Sequence, residues 1–122
     1  MFMCVKVLIV EDEAITALDL RYSLQDLGYD VVGVVDTGID AIEASHKLKP
    51  DVVLMDIKLK GEMEGTEAGQ AISKLRIHVI FVSANTDIST IEESNIGGTF
   101  AFVSKPFDLE KLNQTIKDII NE

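Results

Sequence analysis

The chain has 122 residues, 47% of them hydrophobic and 26% charged, which is typical of one globular domain with its own core. Its formal net charge of −10 argues against nucleic acid or an anionic membrane as a partner, because binding phosphates needs clustered Lys and Arg. No apolar run has the length of a membrane span and the N-terminus does not resemble a signal peptide, so we expect a cytoplasmic protein.

Short apolar, β-branched runs alternate along the chain with segments of helical pattern. In chain order the predicted elements are strand 5–10, helix 14–27, strand 31–35, helix 37–48, strand 51–55 ending at Asp56, helix 66–75, strand 77–82, helix 87–95, strand 100–103 and helix 108–120. Five strands that alternate with five helices predict an α/β fold, in which a doubly wound parallel sheet carries helices on both faces.

Local signals support several of these elements. The first helix has apolar residues at helical spacing, Ile15, Leu18, Tyr22 and Leu27, and Gly28 follows as a C-terminal stop. The apolar stripe of the last helix consists of Leu109, Leu112, Ile116 and Ile119 or Ile120. The single cysteine, Cys4, lies in an apolar run and is predicted to be buried.

Polar residues follow the predicted strands at their carboxyl ends, where ligands bind in sheets of this kind. Glu11 and Asp12 follow the first strand, Asp56 the third, Ser83 the fourth and Lys105 the fifth. Three carboxylates so close together would favour a hard cation such as Mg²⁺. A carboxylate can also attack phosphorus, while a lysine and a hydroxyl stabilise the phosphoryl oxygens.

Each of these residues also has a purely structural interpretation. Glu11 and Asp12 could stabilise a helix N-terminus, Asp56 could be a loop residue, Ser83 could cap a helix, and Lys105 could lie in a solvated turn. These interpretations would require four independent coincidences at one edge of one sheet, so the functional interpretation is favoured.

Four motifs at these strand ends resemble those of the receiver domain of response regulators. They are Val-Glu-Asp-Glu at 10–13, Asp-Val-Val-Leu-Met-Asp at 51–56, Phe-Val-Ser-Ala at 81–84 and Ser-Lys-Pro-Phe at 104–107. The resemblance covers essentially the whole chain and implies one receiver domain over residues 1–122. It also implies a flavodoxin-like five-stranded sheet of order 2-1-3-4-5 with five helices.

The resemblance further implies a metal-dependent phosphoacceptor. Asp56 resembles the phosphoacceptor and also a metal ligand, Asp12 the direct Mg²⁺ ligand, and Glu11 its partner, often acting through water. The backbone carbonyl of Lys58 resembles the third protein ligand. The loop 59–65 departs from the family, since it lacks a frequent proline and is one residue longer than usual.

The remaining family residues imply a switch. Ser83 stands at the family's Thr or Ser position, and Lys105 resembles the lysine that pairs with the phosphoryl group. The bond from Lys105 to Pro106 is expected to be cis. Phe102 stands at the switch aromatic, and we expect phosphorylation to be read on the face formed by the fourth predicted helix (87–95), the fifth strand and the last helix.

The implied partners are a sensor histidine kinase or phosphotransfer protein and a downstream effector protein, with a homodimer left open. The chain would not be an enzyme beyond promoting its own aspartyl phosphorylation and dephosphorylation.

A flavodoxin is disfavoured because acidic residues replace its phosphate loop, and an aspartyl phosphatase because Lys58 stands where such enzymes carry a second Asp. A degenerate receiver that binds partners independently of phosphorylation is the main alternative.

Overall fold

The computed structural model describes residues 4–59, 61–83, 100–104 and 108–121. The elements in chain order are β1 Lys6–Val10, α1 Ala14–Asp26, β2 Asp30–Val35, α2 Gly38–Leu48, β3 Val52–Asp56, α3 Gly65–Ser73, β4 His78–Ser83, β5 Phe100–Ser104 and the C-terminal helix Leu109–Ile120. These bounds lie within two residues of the predicted ones. The helix predicted over 87–95 lies outside the described residues. No helix of the described ranges is long and apolar enough to cross a membrane.

The five strands form one parallel sheet of order β2-β1-β3-β4-β5, which confirms the predicted order. β1 and β3 lie side by side, with Val7 opposite Val52 and Val10 opposite Met55. β2 lies on one side of β1, and β3, β4 and β5 follow in order on the other side, so the strand order reverses between β1 and β3. Binding sites in such sheets lie at the carboxyl ends of the strands beside this reversal.

Apolar residues of the central strands are buried on both faces of the sheet. Val7, Leu8, Ile9 and Val10 of β1 are each at most 1% exposed. Because side chains alternate along a strand, Val7 and Ile9 join the core under α1 and the C-terminal helix, and Leu8 and Val10 join the core under α2 and α3. This two-sided burial explains why the strands appear in the sequence as nearly continuous apolar runs.

Capping residues are present at the ends of two helices, and one of them is the predicted Gly28. Thr37 caps α2, and its hydroxyl oxygen accepts a hydrogen bond from the backbone N–H of Asp40 at 3.1 Å. Gly28 follows α1 with a φ of +96°, a conformation that favours glycine. In the C-terminal helix, the predicted stripe is buried at Leu112, Ile116 and Ile119.

The apolar residues that indicated α1 lie on its exposed side. Ile15 is 85% exposed, and Leu18, Tyr22 and Leu27 are also exposed. The residues that face the sheet are Ala17, Leu20 and Leu24. Both sets have helical spacing, so the pattern predicts the helix correctly without showing which side is buried.

The predicted burial of Cys4 is wrong. Cys4 precedes β1, and its thiol is free and exposed. Its Sγ lies 3.5 Å from the carbonyl oxygen of Gly28, to which it can donate only a weak hydrogen bond. The apolar residue that follows Cys4, Val5, is half-buried and packs against the core under α1 and the C-terminal helix.

Candidate functional site

Three carboxylates meet at the carboxyl ends of the two central strands. Glu11 and Asp12 directly follow β1, and Asp56 is the last residue of β3. One carboxylate oxygen of each residue lies within 4.8 Å of one oxygen of each of the others. Glu11 is 4% exposed and Asp56 7% exposed, so two of the three acidic side chains are nearly removed from water.

The backbone fixes the position of Glu11. Its N–H donates to the carbonyl oxygen of Val35 at 3.0 Å, which extends the β1–β2 pairing one residue beyond Val10. Its Oε1 accepts a hydrogen bond from the backbone N–H of Glu13 at 3.1 Å. The carboxylate is therefore held at the turn between β1 and α1.

The backbone after β3 orients Asp56 in a similar way. Its Oδ1 lies 3.4 Å from the backbone N–H of Lys58, which is a long hydrogen bond. The N–H of Ile57 points to the carbonyl oxygen of Val82 in β4 at 3.4 Å. Asp56 is thus located by the sheet, and its carboxylate is aimed by the first residues of the following loop.

Like charges at this separation repel each other, and the repulsion grows as water is excluded. A hard divalent cation would relieve it, because Mg²⁺ is bound through oxygen atoms and commonly by one or two carboxylates. The donor set of Glu11, Asp12 and Asp56 therefore fits a magnesium ion.

The loop between β3 and α3 is held close to Asp56. Leu59 and Met63 are half-buried and pack against the core under α2 and α3. The N–H of Gly65 donates to the carbonyl oxygen of Ile57 at 2.9 Å, which closes the loop on itself. A Cβ added to Gly65 would lie 2.1 Å from the carbonyl oxygen of Asp56. Only a glycine allows this approach, so the loop that contains Lys58 begins and ends against the end of β3.

The fourth and fifth strands end at the same edge. Ser83 lies opposite Ser104 in the β4–β5 register, and Asp56 lies opposite Val82. The side chain of Ser83 lies outside the described part of the chain, as do Lys105 and Pro106. Their roles and the cis peptide bond stay predictions.

Phe102 lies in the middle of β5 and is 44% exposed, so it is not simply a core residue. Its ring stacks on that of Phe81, its neighbour in the β4–β5 register, with a centroid distance of 5.7 Å and an interplanar angle of 18°. Phe81 itself is fully buried. Phe102 therefore lies against the core and still contacts solvent.

A cleft that the sequence did not predict opens beside the carboxylates. It has a volume of about 470 Å³, lies between the start of α1 and the end of β2, and includes Leu18, Arg21, Val34 and Asp36 beside Glu11 and Asp12. No sequence signal indicates it, because it depends on the exposed side of α1 lying next to the end of β2.

The family model described as "Response regulator receiver domain" matches residues 7–117. The chain belongs to this family.

Two curated relatives of this receiver domain are similar over most of its length. The transcriptional regulatory protein PdtaR of Mycobacterium tuberculosis is 34% identical over 113 residues, which are 92% of this chain and 55% of that protein. The chemotaxis protein CheY of Thermotoga maritima is 35% identical over 118 residues, which are 92% of this chain and 98% of CheY. The receiver thus spans about half the length of PdtaR and nearly all of CheY.

A solved receiver domain has the same fold. It is that of the sensor histidine kinase PA1611 from Pseudomonas aeruginosa PAO1, with a TM-score of 0.84 and 25% identity over 98% of this chain and 100% of that chain. That structure contains a magnesium ion coordinated in its active site cleft. The present chain is therefore a receiver domain of two-component signalling with an acidic cluster at the carboxyl edge of its sheet.

Proposed function

We propose that this receiver domain, spanning residues 1–122, is a switch that accepts a phosphoryl group on Asp56 from a sensor histidine kinase or a phosphotransfer protein. The observation that carries the proposal is the meeting of Glu11, Asp12 and Asp56 within 4.8 Å at the end of two central strands. Their position beside the reversal of strand order is where α/β sheets bind ligands.

Asp12, Asp56 and the backbone carbonyl of Lys58 would hold Mg²⁺, with Glu11 as their partner. When bound, Mg²⁺ would offset the negative charge of the carboxylates and of the phosphoryl oxygens. The magnesium ion in the receiver domain of PA1611 supports this assignment.

Asp56 supplies the nucleophile in this proposal. A carboxylate oxygen forms a bond to phosphorus while the bond from phosphorus to the donor histidine nitrogen breaks. The electron pair of the broken bond stays on the imidazole, and the product on Asp56 is an acyl phosphate. The backbone N–H of Lys58 helps to aim the carboxylate. Lys105 and the hydroxyl of Ser83 are proposed to stabilise the phosphoryl oxygens.

Phe102 is proposed to report the phosphorylated state to a downstream effector protein. A half-exposed ring that stacks on a buried one can move inward at little polar cost, since phenylalanine has no hydroxyl to desolvate. Phosphorylation would then shift the population between two packings of the face that includes β5 and the C-terminal helix.

Incubation with acetyl phosphate tests the proposal, with intact mass as the measurement. The wild-type protein should gain one phosphoryl mass with Mg²⁺ and none with a chelator. Asp56→Asn should gain none, whereas Asp36→Asn, which removes an acid from the neighbouring cleft but not from the cluster, should behave like wild type. Undiminished labelling of Asp56→Asn would refute the site. A wild-type protein that is never labelled would favour a phosphorylation-independent binding module.

A further inference from the structure

The sequence of the loop between β3 and α3 does little to restrict its backbone. Residues 57–64 contain no proline, and Gly61 adopts a φ of +92°, where an added Cβ would meet nothing within 4 Å. Glycine has more backbone freedom than any other residue, and proline would have removed some of it. The position of the Lys58 carbonyl therefore depends on the hydrogen bonds at the two ends of the loop and on the side chains that anchor it.

Met63 is the anchor nearest to the end of this loop. It is half-buried and packs against the core under α2 and α3, although both of its neighbours, Glu62 and Glu64, are exposed. Its side chain reaches the first residue of α2. A Cβ built on Gly38 would lie 3.0 Å from Cγ and 3.1 Å from Sδ of Met63.

Gly38 therefore provides the space that Met63 occupies. The same hypothetical Cβ would lie 3.2 Å from the Cβ of Ala68 in α3, so Met63 and Ala68 both lie beside Gly38. A Cβ at 3.0 to 3.4 Å is tighter than nine in ten real Cβ contacts, so a side chain at position 38 would force Met63 to shift. The loop is in this way attached to α2 as well as to α3.

We propose that Met63 is a positioning residue for the metal site. By packing on Gly38 it fixes the loop whose Lys58 carbonyl completes the set of magnesium ligands, an inference that rests on the proposed function. Met63 is not a member of the carboxylate cluster, and in this proposal it acts through the loop backbone. Groups that hydrogen-bond directly to metal ligands typically change metal affinity by about 10-fold to 100-fold when they are lost, and a packing residue that acts through the backbone belongs at the lower end of that range.

Magnesium titration of the full chain by calorimetry, together with thermal unfolding, tests the inference. Met63→Ala should weaken Mg²⁺ binding by about tenfold. Met63→Leu, which keeps an apolar side chain of similar volume, should bind nearly as tightly as wild type. Ile77→Ala is the matched control, because Ile77 is also half-buried on the same core but lies before β4, at the opposite edge of the sheet. This control should lose stability and keep its Mg²⁺ affinity.

A double-mutant cycle tests the contact itself. Gly38→Ala should weaken Mg²⁺ binding when Met63 is present, because the new methyl group displaces that side chain, and should add no further loss in a Met63→Ala background. Wild-type affinity in Met63→Ala, or an equal loss of affinity in Ile77→Ala, would overturn the inference while leaving the metal site intact. Absence of Mg²⁺ binding to the wild-type protein would instead overturn the proposed function, and this inference with it.

Discussion

Replacing Gly65 with alanine should damage both the fold and the metal site. Gly65 is the first residue of α3, and its added Cβ would lie 2.1 Å from the carbonyl oxygen of Asp56 and 2.8 Å from the Cα of Ile57. Close carbon–oxygen contacts in proteins lie at about 3.3 Å, so the overlap with the carbonyl oxygen is about 1.2 Å.

The atoms that clash with this Cβ belong to the backbone and cannot rotate away. Asp56 ends β3, which is paired on both sides by β1 and β4, so the start of α3 has to move instead. Overpacking of a core costs about 1 to 3 kcal/mol, and a clash with a fixed backbone belongs at the upper end of that range. For a domain of this size, a loss of about 3 kcal/mol lowers the melting temperature by roughly 10 °C.

Thermal unfolding followed by circular dichroism measures the loss of stability, and magnesium titration measures the loss of Mg²⁺ affinity. Gly61→Ala is the control in the same loop, because its Cβ would meet nothing within 4 Å. The free energy of unfolding should fall only by the cost of placing an alanine in a left-handed conformation, about 1 to 2 kcal/mol. Gly65→Ala should unfold at a lower temperature than Gly61→Ala and bind Mg²⁺ more weakly. A Gly65→Ala protein as stable as wild type with unchanged Mg²⁺ affinity would refute this reasoning.

Three further predictions test other parts of the structure. Leu24→Ala should lower the free energy of unfolding by about 2 to 5 kcal/mol, whereas Ile15→Ala on the exposed side of α1 should change it by less than about 0.5 kcal/mol, both measured by urea denaturation. Burial raises the pKa of Tyr29, so the folded state keeps its proton after the unfolded state has lost it, and stability should fall as pH rises above about 10. Tyr29→Phe should show a smaller fall over the same pH range. Gly69→Ala would place a Cβ 2.5 Å from Cζ of Phe81. The aromatic NMR signals of Phe81 should therefore shift, and the free energy of unfolding should fall by about 1 to 3 kcal/mol.

The strands of the sheet could be predicted because each is marked by a short run of consecutive residues in the sequence. Strands buried on both faces require unbroken apolar runs, and β1 and β3 have them. The meeting of Glu11, Asp12 and Asp56 could also be predicted, since the carboxyl ends of neighbouring parallel strands share one edge. Only the order of the strands was needed in addition, and the family resemblance supplied it.

What the sequence could not predict depends on contacts between distant segments. Residues 15, 18 and 22 and residues 17, 20 and 24 are equally good helical stripes, and the choice between them is made by the sheet beneath α1. The buried side includes the small residue Ala17, which a count of large apolar residues leaves out. The contact between Met63 and Gly38 joins a loop to a different helix, and no periodic pattern marks either residue.

The carboxylate cluster shows how a sheet can support a site that is unfavourable by itself. Three neighbouring acids would separate if only their own contacts held them, because they repel each other. Glu11 is held instead by its backbone bond to Val35, and Asp56 by the pairing of β3 with its two neighbours. The rigidity comes from apolar strands that take no part in the chemistry. For this reason, removing one carboxylate should remove the proposed function and relieve the repulsion without unfolding the domain. Functional sites commonly contain such locally unfavourable arrangements, which the rest of the fold stabilises.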